Sequence, residues 1–251
     1  MNLMLKRLII LISSLLISCS TSSRSQNSSL EIFSSTESDK YQYFIDVANR
    51  QKTNKILFIG DSHAVGLFGK ELFNRLQSKY PLSELYFYAV CGSSPNWWLN
   101  GTETQCGYWQ LDSKGHEIKT IQEATPDLKE LIQNIKPNLI IIEQGTNLIR
   151  LKPVDVKQQV IQLINVIKAM TPAQIVWVGP PDARAYSKQA INSTFLTLLD
   201  VCSEQRPKIK LIDSRKFTHY PASANDGVHY YGSDGELENS KWANGIVSDI
   251  E

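Results

Sequence analysis

The feature that most constrains the fold of this chain is a series of short apolar runs separated by amphipathic stretches, beginning at Lys55. Near-continuous apolar strands that alternate with helices are typical of a parallel sheet covered on both faces. With right-handed crossovers, the pattern predicts a three-layer α/β/α domain with a five-stranded parallel sheet. The five runs predicted as strands are 55–60, 85–90, 139–143, 174–179 and 210–213.

One long stretch, residues 91–124, has no clear helical or strand periodicity. We therefore expect an irregular segment here. Loops of that length inside a domain are usually functional or lid-like. It is followed by Thr125-Pro126-Asp127, which predicts a helix start with Thr125 as the N-cap and Pro126 in the first turn.

The N-terminus has the layout of a secretory signal over residues 1–18. Lys6 and Arg7 precede a short apolar run that ends in Leu16-Ile17-Ser18-Cys19. The run is too short to cross a bilayer permanently, which takes about 20 apolar residues. Cys19 stands where cleavage of the signal is expected. Together with the three residues before it, Cys19 resembles the bacterial lipoprotein box, in which the cysteine becomes the lipidated N-terminus. The alternative is an ordinary signal peptide with an incidental cysteine.

Residues 19–40 are dominated by serine and other polar residues, a composition typical of a flexible tether. The folded domain is therefore predicted over 41–251, lipid-anchored in a bacterial cell envelope and facing outside the cytoplasm. Ser20 is not the aspartate of an inner-membrane retention signal, which favours the outer membrane where the organism has one.

The composition gives no reason to expect nucleic acid as a partner, because the formal net charge is +1 and the basic residues are scattered. Export to an oxidising compartment favours cysteine pairing. We expect a disulfide between Cys91 and Cys106, whereas Cys202 falls on the apolar face of a predicted helix and reads as a buried thiol. The spacing of the cysteines fits no zinc site.

Four groups of polar residues and glycines stand where an active site of such a sheet is expected, beyond the carboxyl ends of the strands or near the C-terminus. Gly60-Asp61-Ser62-His63 follows the first strand, Gly92 the second, and Gly145-Thr146-Asn147 the third. The fourth group, Asp226-Gly227-Val228-His229, places a carboxylate three residues before a histidine, close enough to orient its imidazole.

These four groups, in this order, resemble the motifs of the SGNH (GDSL-type) hydrolase family over about residues 54–232. The resemblance implies a flavodoxin-like fold in which Ser62 is the nucleophile, His229 the base and Asp226 the orienting acid. It implies an oxyanion hole made by the backbone N–H groups of Ser62 and Gly92 and the side chain of Asn147.

No cofactor is implied. The implied activity is that of an exported serine esterase removing short acyl groups, such as acetyl, from an envelope or extracellular glycan. An O-acyltransferase and a non-catalytic carbohydrate-binding lipoprotein remain alternatives. His63 and Leu148 depart from the residues that many members carry next to these motifs.

Asp61 and His63 also fit a different chemistry, because Asp-x-His after a first strand begins the metal site of calcineurin-like phosphoesterases. Such a site needs further carboxylate, Asn and His ligands downstream. The motifs that supply them do not occur in the chain, so we expect no metal.

Four aromatic residues are clustered in the stretch after Gly92, namely Trp97, Trp98, Tyr108 and Trp109. Two interpretations remain open. The side chains could pack the irregular segment around the expected disulfide, or they could form a stacking surface for a sugar ring beside the ester.

Overall fold

A computed structural model of the chain describes residues 54–250. The predicted signal peptide (1–18), the tether (19–40), Cys19 and the start of the domain at residue 41 lie outside the described residues. None of the helices in the described part is both long and apolar enough to cross a membrane.

Within this range the chain forms strands that belong to one large sheet and one small ribbon. The strands are β1 (Lys55–Gly60), β2 (Glu84–Val90), β3 (Glu103–Thr104), β4 (Tyr108–Asp112), β5 (Glu117–Thr120), β6 (Glu123–Ala124), β7 (Leu139–Glu143), β8 (Gln174–Val178) and β9 (Lys210–Ile212). The helices are α1 (Ser62–Val65), α2 (Leu67–Lys79), α3 (Trp97–Asn100), α4 (Leu128–Ile135), α5 (Pro153–Met170), α6 (Lys188–Glu204) and α7 (Gly232–Asp249).

The large sheet has the order β5-β4-β2-β1-β7-β8-β9. Its five predicted strands are all present and pair in parallel in the order β2-β1-β7-β8-β9. That order places the switch point between β1 and its neighbours, as in flavodoxin-like sheets. The predicted three-layer architecture is therefore confirmed.

Helices cover both faces of the sheet, because residues on each central strand alternate between two apolar cores. Ile56 and Phe58 face the core formed with α2 and α7, in which Trp242 is fully buried. Leu57 and Ile59 face the other core, formed with α4, α5 and α6. Burial on both faces explains why β1 reads as a continuous apolar run.

The prediction of five strands was incomplete, because the large sheet has seven. The segment 91–124, expected as an irregular loop, forms β4 and β5, which extend the sheet antiparallel beyond β2, and β3 pairs with β6. These strands are two to five residues long, and every residue of β5 is exposed. β4 pairs with β2, and β5 pairs with β4, so these strands are held by their neighbours and leave little periodicity to read in the sequence.

The predicted N-cap of α4 was also wrong. Asp127 caps the helix, since its side chain accepts hydrogen bonds from the backbone N–H groups of Lys129 and Glu130. Thr125 instead donates its hydroxyl to the Thr102 carbonyl at 2.6 Å. A carboxylate placed one residue before the helix competes well with threonine for the cap.

Candidate active site

Ser62 lies at the point where β1 ends and α1 begins, at the carboxyl edge of the sheet. Its hydroxyl Oγ is 2.8 Å from Nε2 of His229. On the other side of the imidazole, Nδ1 is 2.6 Å from Oδ2 of Asp226. A nitrogen facing a carboxylate carries the proton, which leaves Nε2 as the acceptor for the serine hydroxyl. The three residues form one hydrogen-bonded chain that ends at a hydroxyl.

The second carboxylate oxygen of Asp226 accepts the backbone N–H groups of Val228 and His229, both at 2.8 Å. Partial burial disfavours ionisation of Asp226, but these hydrogen bonds and the one from the imidazole outweigh it. The pKa of Asp226 is therefore lowered below its ordinary value. The carboxylate stays charged at neutral pH and holds the imidazole in one orientation.

Two tyrosines hold the loop that carries Asp226. The hydroxyl of Tyr231 accepts the N–H groups of Asn225 (2.9 Å) and Asp226 (2.8 Å). The hydroxyl of Tyr220 accepts the N–H of Gly227 at 2.6 Å and reaches Asp226 Oδ1 at 3.4 Å. Gly227 has a φ of +83°, a left-handed conformation that favours glycine. Neither tyrosine contact could be predicted from the sequence.

The predicted oxyanion donors lie on three loops that are tied together. Asn147 donates its side-chain amide to the Ser93 carbonyl at 2.9 Å, and Ser93 donates its hydroxyl to the Gly60 carbonyl at 3.3 Å. Gly92, with a φ of +81°, sits beside Ser93. Among residues 54–250, the backbone N–H groups of Ser62 and Gly92 have no hydrogen-bond acceptor. Both remain available to an incoming oxygen.

A pair of buried carboxyl groups lies directly beneath Ser62. The Asp61 N–H donates to Oε2 of Glu143 at 3.1 Å, and both side chains are 0% exposed. Burial raises the pKa of Asp61 to about 6. Burial, together with the charge of Asp61, raises the pKa of Glu143 well above its ordinary value.

We did not predict a role for Glu143 from the sequence. The sequence feature that could have pointed to it is a charged residue at the end of the apolar strand Leu139–Glu143. The structure then pairs this residue with Gly60, next to Asp61.

The ring of His63 points into the core rather than toward Asp61. It makes edge contacts with Tyr230 and Trp242 and lies 5.2 Å, centroid to centroid, from the ring of His229. Burial, reinforced by repulsion from the His229 imidazole when that ring is protonated, lowers the pKa of His63 to about 3. Within the part of the chain that the structure describes, no group of three or more His, Cys, Asp and Glu side chains is placed to hold a metal ion.

The stacking surface considered for the aromatic cluster does not form. Trp98, Tyr108 and Trp109 are only 0%, 4% and 2% exposed, because β4 and α3 turn them into the two cores. A buried ring has no free face for a sugar, so these three residues pack the domain. Trp97 is partly exposed, and its ring lies 3.4 Å from where a Cβ on Gly92 would stand.

The expected pair Cys91 and Cys106 is joined by a disulfide, with a Cα–Cα distance of 5.5 Å. The bridge fixes the residue before Gly92 to the segment that leads into β4, and the Cys91 N–H also donates to the Gly107 carbonyl at 2.8 Å. Cys202 is a buried free thiol on α6.

Comparison with known proteins gives no matching family model and no similar curated protein, but several solved structures are alike. A crystal structure of TesA superimposes with a TM-score of 0.55 at 16% identity, over 77% of this chain and 96% of that one. A family 3 carbohydrate esterase from Clostridium thermocellum superimposes with a TM-score of 0.52 at 15% identity, over 78% of this chain and 94% of that one.

A member of the lipolytic protein G-D-S-L family from Veillonella parvula gives a TM-score of 0.51 at 13% identity, over 79% of this chain and 98% of that one. This chain has the SGNH (GDSL-type) hydrolase fold. In that fold the four sequence groups occupy one edge of the sheet: Ser62 follows β1, Gly92 follows β2, Asn147 follows β7, and the loop with Asp226 and His229 precedes α7.

Proposed function

We propose that this SGNH-fold protein is a serine ester hydrolase with Ser62 as nucleophile, His229 as general base and Asp226 as the orienting acid. The observation that carries the proposal is the continuous hydrogen-bonded chain from Ser62 Oγ through His229 to Asp226, with distances of 2.8 Å and 2.6 Å. A nucleophile bonded to a base, itself oriented by a third group, is the arrangement required for acyl transfer through a covalent intermediate.

In the first half-reaction, the Ser62 hydroxyl loses its proton to Nε2 of His229 while its oxygen attacks the ester carbonyl carbon. The ionised Asp226 stabilises the imidazolium that forms. Collapse of the tetrahedral intermediate breaks the bond to the alcohol, which leaves with the proton from Nε2. A water molecule then attacks the acyl-enzyme carbonyl and gives its proton to Nε2. Collapse of this second tetrahedral intermediate breaks the acyl–Oγ bond, Oγ of Ser62 takes the proton back from Nε2, and the acid product leaves.

The oxyanion of each tetrahedral intermediate is stabilised by the free N–H groups of Ser62 and Gly92. The Asn147 amide has two N–H groups. One is engaged by the Ser93 carbonyl at 2.9 Å, and the other, whose contact with the Asp61 carboxylate is long at 3.5 Å, is assigned to the oxyanion when substrate binds. One such donor is worth about 3 to 4 kcal/mol in the transition state.

We propose a short acyl group, such as acetyl, on a glycan as the substrate. The Trp97 ring narrows the space beside Gly92, which favours a small group at the acyl position. The fold is shared with a family 3 carbohydrate esterase and with an acetyl esterase, the latter at a TM-score of 0.51 and 12% identity.

The decisive experiment is hydrolysis of p-nitrophenyl acetate and longer aryl esters by the purified wild type and Ser62→Ala. We expect acetate to be the best substrate and the alanine variant to lose activity by about 10⁴-fold or more. Full activity in Ser62→Ala would overturn the mechanism. If the wild type releases no nitrophenol unless a sugar acceptor is added, the protein is an O-acyltransferase. If it neither hydrolyses nor transfers but binds glycan, it is the non-catalytic binding protein.

We further propose that the domain is exported and anchored through lipid on Cys19, with residues 19–40 as the tether. The support is the order of basic residues, apolar run and cysteine at the N-terminus. Expression of the full chain in a bacterium with a labelled fatty acid tests this. Label and membrane association are expected in the wild type and lost in Cys19→Ala. A label-free wild type that is secreted would indicate an ordinary signal peptide.

A further inference from the structure

Asp61 and Glu143 are brought together by the pairing of β1 with β7, which sets Gly60 opposite Glu143. Both side chains are completely buried. Among the described residues neither forms an ion pair with a lysine, arginine or histidine. Two carboxylates without a counter-cation in a low-dielectric site cannot both stay ionised, so the pair must retain a proton.

The hydrogen bonds decide which residue holds that proton. Asp61 accepts the His63 N–H at 3.0 Å on one oxygen and the Asn147 amide at 3.5 Å on the other, so donors surround its negative charge. Glu143 accepts only the Asp61 N–H on Oε2, and no N–H or O–H donor among the described residues faces its Oε1. The charge is better stabilised on Asp61, and the proton belongs on Glu143.

We propose that Glu143 is a proton-carrying positioning residue of the active site. Its Oε2 accepts the Asp61 N–H, and its protonated Oε1 donates to the Asp61 carboxylate. The pair then holds a single negative charge, which orients the backbone N–H of His63 and the amide of Asn147 on either side of Ser62. This inference rests on the proposed esterase function for its kinetic consequences, but not for the protonation state.

The single charge also has an electrostatic role. The titratable groups that face Asp61 are Glu143 on β7 and His229 on the C-terminal loop, while the neutral His63 ring follows it on α1. One anion beneath Ser62 favours the imidazolium of His229 during attack. A second anion would oppose the developing oxyanion at the same edge of the sheet.

The test compares two replacements of Glu143 that differ in hydrogen bonding but not greatly in size. Gln places a carbonyl oxygen and an N–H donor where the protonated acid has them, whereas Leu has neither. We expect Glu143→Gln to keep kcat for p-nitrophenyl acetate within about threefold. We expect Glu143→Leu to lose at least about tenfold in kcat with little change in KM, because Asn147 and Asp61 lose their fixed positions.

The pH profile separates positioning from mere packing. Without a donor, the pKa of Asp61 rises, so the acid limb of kcat is expected to move to higher pH in Glu143→Leu and to stay in place in Glu143→Gln. Glu238→Gln, a replacement of a buried glutamate that pairs with Lys241, serves as the matched control and is expected to leave both kcat and the limb unchanged. Equal loss and equal shift in the Gln and Leu variants would overturn the proposal.

Infrared spectroscopy tests the proton directly, without any activity. At pH 7 the wild type is expected to show a buried carboxylic-acid C=O band that is missing in Glu143→Gln and present in Ser62→Ala. If Ser62→Ala keeps full activity but the band is present, the proposed mechanism fails and the protonated pair stands. If the band is absent from the wild type, the protonated pair fails whatever the activity.

Discussion

Nε2 of His229 lies 2.8 Å from Oγ of Ser62, although the two residues are 167 positions apart in the chain. The contact joins the first turn after β1 to the loop before α7. Nothing local to either residue brings them together, so the contact depends on α7 packing against α2 on one face of the sheet. The reactivity of Ser62 is thus a property of the assembled domain.

Replacing Asp226 by Asn should reduce kcat for an aryl ester by about 10⁴-fold. The amide can donate to Nδ1 and would then hold the wrong imidazole tautomer, with Nε2 protonated and unable to accept from Ser62. The chain offers a matched control in Asp112, which contacts Nδ1 of the exposed His116 at 2.8 Å. Asp112→Asn should change kcat less than about twofold. Similar losses in both variants would contradict the role of Asp226.

Replacing Asn147 by Ala should lower kcat by about 10²- to 10³-fold and leave KM nearly unchanged, because the amide acts on charge that develops only in the transition state. Steady-state kinetics on p-nitrophenyl acetate measures both constants. Asn74→Ala, on the exposed side of α2, is the control and should behave as the wild type. A rise in KM with an unchanged kcat would assign Asn147 to substrate binding instead.

Removing the disulfide by replacing Cys91 and Cys106 with Ser should destabilise the domain by about 3 kcal/mol, from the loop that the bridge closes. For a domain of this size, that corresponds to a fall in Tm of about 6 to 12 °C. The same fall is expected when the oxidised wild type is treated with a reductant, whereas the double variant should not respond. A wild type unaffected by reductant would show that the bridge contributes little to stability.

The buried His63 should make the domain sensitive to acid. Its pKa is about 3 in the folded state, lowered mainly by burial, and 6.5 in the unfolded chain. The unfolded state therefore binds the proton first as the pH falls. Stability from the neutral ring is present above pH 6.5 and is lost progressively down to pH 3.

Between pH 7 and pH 3.5 this single histidine should remove roughly 3 to 4 kcal/mol of unfolding free energy. Urea denaturation of the wild type and His63→Phe over this range measures the difference, since the phenyl ring fits the same aromatic surroundings without titrating. His116→Phe, at an exposed position, is the control. Parallel pH curves for the wild type and His63→Phe would contradict the buried-neutral assignment.

Much of the fold follows from local pattern. The run Lys55–Gly60 is apolar at every position after the first because both of its faces are covered. Runs of this kind predict the five parallel strands even when the neighbouring strands are not known. The residue at which each predicted strand ends then shows which side chains lie at the carboxyl edge of the parallel sheet. For this reason Ser62, Gly92 and Asn147 could be selected as site candidates from the sequence.

The tertiary structure alone decided the features that depend on partners distant in sequence. β4 is held by pairing with β2, and β5 by pairing with β4, rather than by a periodicity of their own. Trp98 and Trp109 are core residues because other parts of the folded chain bury them, and the type of a residue does not by itself determine whether it is buried.

The proton shared by Asp61 and Glu143 is the clearest case. Each residue, taken singly, reads as an ordinary ionised acid, and only the β1–β7 register removes both from water at one point. The sequence determined which atoms are available at the edge of the sheet. The packing determined their protonation and direction, because both depend on the dielectric and the neighbours that the folded chain supplies.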